Sequence, residues 1–168
     1  MRSIKNEKNL TNKLILLRLD LNVPLDQEKI SDTTRIDKIL PTLNFLIRQN
    51  TKIIILSHIG RPKGKIVDEL SLKPIKEDLQ QKLKLKVKLI KKNIFKIKNR
   101  AFLNDFDEQI LILENIRFYA EEEKNDLNFA NHIASLGDIY VNDAFSCSHR
   151  EHASIHQISK FLPSYSGL

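Results

Sequence analysis

The sequence has 168 residues, of which 41% are hydrophobic and 29% are charged, and its formal charge at pH 7 is +7. This composition is typical of a globular chain with one core and argues against a disordered protein. No apolar run is long enough to span a bilayer or is flanked like a signal peptide, so we expect a single cytoplasmic domain. The one cysteine, Cys147, excludes an internal disulfide.

Much of the positive charge comes from a single stretch. Nine basic residues and no acidic residue lie between Lys82 and Arg100, whereas the rest of the chain holds 19 basic and 21 acidic residues. A solvated surface enriched in lysine by a general Lys, Asn and Ile bias explains this stretch. A basic nucleic-acid-binding protein is the alternative, but the stretch contains one aromatic residue, Phe95, and no RNA- or DNA-binding signature.

Five short runs of Ile, Leu and Val predict strands that are buried within a sheet. The segment Lys82–Lys88 alternates lysine with apolar residues, which indicates a half-exposed strand near a sheet edge. The five runs in chain order are Leu14–Leu19, Ile53–Leu56, Leu85–Ile90, Ile110–Leu113 and Ile139–Val141.

Amphipathic stretches between these runs predict four helices. Pro41 lies inside the first, where we expect it to kink the helix or to break it after its first turn. Alternating strands and helices predict a Rossmann-like, doubly wound α/β fold, a three-layer sandwich in which helices cover both faces of a mostly parallel sheet. The first helix is expected to begin at Thr33 or Thr34 and the second at Ser71. The third is expected to run from Asp126 to Gly137, and the fourth to cover Ala153–Ser159.

Polar and ionisable residues follow four of the predicted strands, at the end of a parallel sheet where ligands bind. Only eight of the basic residues are arginines, yet four arginines are expected at this rim. Because a planar guanidinium matches phosphate and carboxylate oxygens, the pattern predicts a site for a small, multiply charged anion. The candidate residues are Asp20, Asn22, Arg35, His58, Arg61, Arg117 and Arg150.

Each candidate also has a purely structural interpretation. A single arginine at a strand end is usually a solvated charge, Asp20 and Asn22 can form turns, and Asp143 can pair with an arginine. Lone histidines such as His58 are often hydrogen-bonded parts of the core. The four glycines form no phosphate-binding loop and the five histidines include no H-E-x-x-H, so we expect no nucleotide cofactor and no metal in this chain.

Five blocks of sequence closely resemble the N-terminal domain of the phosphoglycerate kinase family, and they occur in the family's order. The resemblance implies two Rossmann-like domains that face each other across a cleft. The N-terminal domain of the family binds 3-phosphoglycerate or 1,3-bisphosphoglycerate, and the C-terminal domain binds Mg-ADP or Mg-ATP. The five blocks are RLDLNVP (18–24), DTTRI (32–36), LSHIGRPKG (56–64), LENIRF (113–118) and VNDAFSCSHREHAS (141–154).

The resemblance implies a role for each candidate residue. Asp20 and Asn22 resemble the pair that contacts the hydroxyl and carboxyl end of the substrate. Arg35 resembles the arginine that neutralises charge on the carboxyl group and on the phosphoryl group in transfer, so it has an implied catalytic role. The residues that resemble the basic patch around the 3-phosphate are His58, Arg61, Arg117 and Arg150.

The implied reaction is the reversible phosphoryl transfer of glycolysis and gluconeogenesis, from 1,3-bisphosphoglycerate to ADP, giving 3-phosphoglycerate and ATP. The chain ends where the family continues into its nucleotide domain. Residues 1–168 are therefore expected to be the substrate-binding domain, inactive in turnover unless a C-terminal nucleotide domain joins it in cis or in trans. A non-catalytic anion-binding module is the alternative, and neither nucleic acid nor membrane is an expected partner.

Overall fold

A computed structural model describes all 168 residues, which form a six-stranded parallel sheet and a separate two-stranded hairpin. The hairpin pairs β2 (Leu25–Asp26) with β3 (Lys29–Ile30). Strands are numbered in chain order, and every neighbouring pair in the large sheet is parallel. Across the sheet the order is β5 (Val87–Ile90), β6 (Ile110–Leu113), β4 (Lys52–Leu56), β1 (Leu14–Leu19), β7 (Ile139–Asp143) and β8 (Ser164–Ser166).

Two apolar cores lie on opposite faces of this sheet. All six residues of the central strand β1 are buried. Because successive side chains of a strand point to opposite faces, Leu14 and Leu16 pack into one core, while Ile15 and Leu17 pack into the other. A strand buried on both faces has no polar side to alternate with, which explains why every residue of β1 except Arg18 is apolar.

Helices cover both faces, so the predicted three-layer α/β sandwich is confirmed. One face is covered by α1 (Thr34–Arg48) and α2 (Lys73–Leu83). The opposite face is covered by α3 (Ala101–Asn104) and α5 (Leu127–Ala134), with α4 (Ala120–Glu123) in contact with α5. None of the helices combines the length and the hydropathy needed to cross a bilayer.

Of the two alternatives predicted at Pro41, the break is excluded, and the helix predicted at Ala153–Ser159 is wrong. Helix α1 continues through Pro41 without a break, since Pro41 lies on the exposed face while Ile36 and Leu43 anchor the other face in the core. No α-helix covers Ala153–Ser159, where turns precede a 3₁₀ helix at Gln157–Lys160. The Ala153 carbonyl oxygen accepts from the amide of Ile158, five residues on, at 3.0 Å, which replaces the i+4 hydrogen bond of an α-helix.

The sheet edges also differ in detail from the prediction. β5 is an edge strand as expected, but it begins at Val87, because Lys82 and Leu83 belong to the last turn of α2. Lys84 then adopts a left-handed conformation with φ of 53°, which ends the helix and turns the chain into the strand. The opposite edge strand, β8, was not predicted from the sequence, since Ser164–Ser166 has no apolar run.

Candidate functional site

The carboxyl ends of β1 and β7 form the topological switch point of the sheet. These strands are neighbours, but the chain leaves β1 towards β4 and leaves β7 towards β8 on the other side. Ligands of open α/β sheets bind in the crevice at such a point. A cavity of about 460 Å³ opens here, and its polar lining consists of Asp20, Arg35, Lys38, Asp143 and Ser146.

Asp20 and Arg35 form an ion pair at the mouth of this cavity. Asp20 directly follows β1, and Arg35 lies in the first turn of α1. Burial acts to raise the pKa of Asp20, but hydrogen bonds from the Ser146 hydroxyl and the Asn22 amide, together with Arg35, outweigh it and lower the pKa. The side chain of Arg35 remains 46% exposed, so part of its guanidinium faces the cavity and solvent.

Gly60 links Asn22 to Arg117 through its backbone. Its amide donates to Asn22 Oδ1 at 2.9 Å, and its carbonyl oxygen accepts from Arg117 Nη1 at 3.4 Å. The residue has φ of +64°, a conformation that side-chain-bearing residues rarely adopt. The tight turn after β4 therefore fixes the positions of residues that are 95 apart in the chain.

Arg117 is a buried cation with few partners. It lies in the 3₁₀ turn Ile116–Phe118 after β6, where only 5% of its side chain is exposed. Its Nε is buried without a hydrogen-bond partner, and the nearest carboxylate oxygen, Glu123 Oε1, is 3.7 Å away. Burial lowers the pKa of Arg117, Glu123 opposes this effect, and the positive charges of Arg150 and Arg18 add to it. An anion placed beside this guanidinium would relieve the imbalance.

His58 lies buried between these cations. It follows β4, and its Nδ1 is 3.2 Å from Nη2 of Arg18. Burial first, and then the charges of Arg18 and Arg117, lower the pKa of His58 to about 3. The imidazole is therefore neutral at physiological pH. Its one N–H group can donate a hydrogen bond to an anion without prior protonation of the ring.

Arg61 and Arg150 are exposed, as are Asn22 and Arg35. Arg150 lines a neighbouring cavity of about 630 Å³ that shares Phe145 with the first cavity. Its charge contributes to lowering the pKa of both His58 and Arg117. Arg61 follows Gly60 directly and makes no ion pair. The structure thus places all seven predicted residues at one end of the sheet, although it does not bring them into a single cavity.

Three functional candidates were missed from the sequence: Arg18, Glu122 and Ser154. Arg18 belongs to β1 and is fully buried, where its Nε donates to Ser154 Oγ at 2.9 Å. Ser154 in turn donates from its hydroxyl to Glu122 Oε1 at 2.5 Å and from its amide to Oε2 at 2.9 Å. An arginine within a buried strand was the one available signal, since Glu122 lies in a run of three glutamates.

Asp143, which was considered as a partner for an arginine, forms no ion pair in the structure. It ends β7, beside Thr42 of α1, and one of its carboxylate oxygens is buried without a hydrogen-bond partner. Burial raises the pKa of Asp143 to about 6, and a hydrogen bond with the Thr42 side chain opposes this rise. The carboxyl group therefore holds its proton more tightly than an exposed aspartate does.

The lysine-rich stretch lies elsewhere and is partly engaged within the chain. Lys82 pairs with Asp37 and with Asp78, and these contacts raise the pKa of Lys82. The hydrogen bond that Lys82 donates to Asp37 is the largest cause. The ammonium of Lys92 lies 4.4 Å from the ring centroid of Phe102, a cation–π contact. These contacts, together with the edge position of β5, are typical of a solvated structural surface.

Neither a cluster of metal-ligating side chains nor a glycine-rich loop at the start of a helix is found in this chain. No group of three or more His, Cys, Asp or Glu side chains could hold a metal ion. Gly60 and Gly64 are too closely spaced for a phosphate-binding loop that opens a helix, and the nearest helix, α2, begins at Lys73.

Comparison with known proteins identifies the family. A sequence model described as phosphoglycerate kinase matches residues 5–168. A phosphoglycerate kinase of Wolbachia pipientis wMel is 52% identical over 160 residues, which cover 95% of this chain and 40% of that relative. The chain belongs to the phosphoglycerate kinase family.

Structural comparison agrees with this assignment and with the predicted fold. The phosphoglycerate kinase of Coxiella burnetii superposes with a TM-score of 0.86 at 37% identity, over 98% of this chain and 40% of that chain. The enzyme of Pyrococcus horikoshii OT3 gives a TM-score of 0.86 at 30% identity, over 99% and 42% respectively. The chain therefore spans about 40% of the length of these phosphoglycerate kinases.

Proposed function

We propose that residues 1–168 are the substrate-binding domain of a phosphoglycerate kinase, which binds 3-phosphoglycerate or 1,3-bisphosphoglycerate. The observation that carries this proposal is the buried guanidinium of Arg117, whose Nε has no partner and which lies beside further cations. Buried charges are normally paired, so this arrangement favours an anionic ligand. The family match supports a phosphoglycerate as that ligand.

In this proposal the phosphate and the carboxyl group occupy different parts of the site. The 3-phosphate is held by His58, Arg61, Arg117 and Arg150. His58 contributes a neutral N–H donor, and the arginines contribute charge and paired hydrogen bonds. Asp20 and Asn22 contact the substrate hydroxyl and carboxyl end, and for Asp20 the low pKa keeps its carboxylate an acceptor.

Arg35 is the residue that we propose to act in phosphoryl transfer. Its guanidinium is oriented by Asp20 on one side and remains accessible on the other. From this position the guanidinium can neutralise charge on the carboxyl group of the substrate and on the phosphoryl group during its transfer. Such a reaction depends on positioning and charge stabilisation, so no covalent intermediate with this chain is required.

We propose that nucleotide binding belongs to the part of the family's length that this chain does not span. A C-terminal nucleotide domain, joined in cis or added in trans, would bring Mg-ADP or Mg-ATP to the site in the cytoplasm. Residues 1–168 alone are then expected to bind 3-phosphoglycerate without producing 1,3-bisphosphoglycerate from ATP. A coupled assay that detects turnover by this chain alone would contradict this division.

Isothermal titration calorimetry with 3-phosphoglycerate tests the binding proposal. We expect binding that weakens steeply with added salt, and Arg35→Ala or Arg150→Ala should each cost about 2–5 kcal/mol. Arg48→Ala is the matched control for Arg35→Ala, because Arg48 is an exposed arginine in the last turn of the same helix, α1. Equal losses in Arg35→Ala and Arg48→Ala would reject a specific site.

A further inference from the structure

A buried polar network lies beneath the candidate site. It consists of Arg18, His58, Glu122, Tyr140 and Ser154, all of which are almost completely buried. Ser154 is its centre, because its hydroxyl accepts from Arg18 and donates to Glu122, and its carbonyl oxygen accepts from the Tyr140 hydroxyl at 2.7 Å. The network joins β1 and β7 to α4 and to the loop that carries Arg150.

Each nitrogen of the Arg18 guanidinium contacts another group of the protein. Its Nε donates to Ser154, its Nη1 donates to the Leu19 carbonyl oxygen, and its Nη2 faces His58 Nδ1 at 3.2 Å. With no exposed surface, Arg18 is not placed to contact a ligand directly. Among the predicted site residues, the one that Arg18 contacts through its guanidinium is His58.

The contact between Arg18 and His58 determines which imidazole nitrogen carries the proton. A guanidinium has five N–H donors and no acceptor, so His58 Nδ1 must be the acceptor. The proton of the neutral ring then lies on Nε2, and the opposite tautomer would set two donors against each other. We propose that Arg18 is a positioning residue that fixes His58 as the Nε2–H tautomer, and that Glu122 and Ser154 hold Arg18 in place.

Glu122 is the carboxyl group of the network and is linked to Arg18 through the Ser154 hydroxyl. Burial raises the pKa of the Glu122 carboxyl group, while Arg18 and the two hydrogen bonds from Ser154 oppose that rise. The other charged groups that act on His58 are Arg117, Asp20 and Arg150. Among these groups, Arg18 alone is hydrogen-bonded to the ring, so the tautomer depends on it.

A fixed Nε2–H tautomer is expected to increase the affinity of the site for an anion, and this expectation rests on the proposed function. A neutral imidazole with a proton on Nε2 is already a donor, so binding needs neither proton uptake nor tautomer exchange. Pre-oriented donors also reduce the ordering cost of binding. Arg18 would thereby increase affinity for 3-phosphoglycerate from beneath the site, without touching the ligand.

Long-range ¹H–¹⁵N NMR of the histidine rings in this chain tests the proposal, with His58 assigned from the spectrum of H58Q. We expect His58 to show an unprotonated Nδ1 and a protonated Nε2, and not to titrate between pH 5 and pH 8. A protonated Nδ1, a mixture of the two tautomers, or titration near pH 6.5 would overturn the proposal. This measurement requires no ligand, so it does not depend on the proposed function.

A double variant, Arg18→Met with Glu122→Gln, tests the role of Arg18 and also removes the ionisable carboxyl group linked to it, so that no buried ionised group loses its partner. We expect His58 to become a mixture of tautomers and the Kd for 3-phosphoglycerate to rise roughly ten- to hundredfold. Ser154→Ala keeps both ionisable groups and should give a smaller change of the same kind. An unchanged tautomer in the double variant would overturn the proposal. If the wild-type chain shows the expected tautomer but fails to bind 3-phosphoglycerate, the proposed function fails and the positioning of His58 stands.

Discussion

Arg100 and Arg117 lie at opposite ends of the same sheet, and the protein surrounds them very differently. At the amino end, Arg100 Nη1 donates to Asp138 Oδ1 at 2.5 Å and its Nη2 donates to the Gly137 carbonyl oxygen at 2.9 Å. Asp138 Oδ2 also accepts from the Leu14 amide at 2.9 Å. At the carboxyl end, Arg117 is far more buried, yet its Nε has no hydrogen-bond partner.

This difference separates a structural arginine from a binding arginine. Arg100 is partly exposed and satisfied by its own chain, so it holds the start of β1 and β7 together. Arg117 bears a desolvation cost that the chain offsets only in part, through Glu123 at 3.7 Å, and neighbouring cations increase it. Proteins keep such unfavourable arrangements where a ligand compensates them. We therefore expect substitutions at the carboxyl end to weaken ligand binding, and substitutions at the amino end to lower the free energy of unfolding.

The largest expected effect is on ligand binding by Arg117→Met. This change should weaken 3-phosphoglycerate binding by about 2–5 kcal/mol, a roughly 30-fold or greater rise in Kd. Because it removes a desolvated charge and keeps a long apolar side chain, the free energy of unfolding without ligand should stay the same or increase. Calorimetry and urea denaturation measure the two quantities.

Arg100→Met is the control for that experiment. It removes a partly exposed ion pair, so the free energy of unfolding should fall by less than about 1 kcal/mol and the affinity should not change. The comparison between the two ends fails if Arg117→Met binds 3-phosphoglycerate like the wild type, or if Arg100→Met weakens binding as strongly.

An intermediate effect, on stability alone, is expected for Gly137→Ala at the amino end. A Cβ at this position would lie 2.6 Å from Cγ of Leu16, which is fully buried and cannot move aside. Overpacking should cost about 1–3 kcal/mol, more than the roughly 0.4–1 kcal/mol gained by restricting the unfolded chain. Urea denaturation should show the loss while 3-phosphoglycerate affinity remains at the wild-type value, and a variant as stable as the wild type would contradict the packing argument.

The smallest expected effect is on the pH dependence of the free energy of unfolding, to which Asp143 and Asp138 contribute with opposite sign. Burial raises the pKa of Asp143 to about 6 from an ordinary value of 3.8. The folded chain therefore holds this proton more tightly than the unfolded chain, and Asp143 lowers the free energy of unfolding as pH rises from about 4 to about 6. Asp143→Asn should remove this loss. The free energy of unfolding of the variant minus that of the wild type should therefore be about 1–2 kcal/mol larger at pH 7 than at pH 4.

Asp138→Asn should show the opposite sign. Burial acts to raise the pKa of Asp138, but the Leu14 amide and Arg100 outweigh it and lower the pKa. The stabilisation that Asp138 provides is therefore present above about pH 4 and is lost as pH falls through its folded-state pKa. The variant should be less stable than the wild type at pH 7, with a difference that shrinks below pH 4. Urea denaturation of both variants across this range would contradict the account if the two differences had the same sign.

Local patterns were sufficient to predict most of the fold. Continuous apolar runs identified β1 and β6 with their full bounds, and Asp126 was expected to cap α5, where its Oδ1 accepts from the Phe129 amide at 2.7 Å. Because all strands are parallel, residues that follow them in sequence had to gather at one end of the sheet. The position of the candidate site was therefore predictable, while the role of each residue in it stays a proposal.

What the sequence did not reveal depends on contacts between distant residues. Arg18 and Ser154 are 136 positions apart, and nothing local distinguishes Glu122 from its two neighbouring glutamates. β8 lacks an apolar run because it is a half-buried edge strand, so its pairing with β7 could not be inferred from local hydrophobicity. These features follow from the assembled fold and have no periodic signature.

The most direct test of the central claim is an amide NMR titration of this chain with 3-phosphoglycerate at physiological salt. We expect the shift changes to concentrate at the carboxyl end of the sheet, in residues 20–22, 58–61, 116–118 and 145–150. Amides around the Arg100–Asp138 pair and along the lysine-rich edge strand β5 should change little. Changes centred on β5 or on Arg100 and Asp138, or saturable binding that leaves the carboxyl end unaffected, would contradict the account.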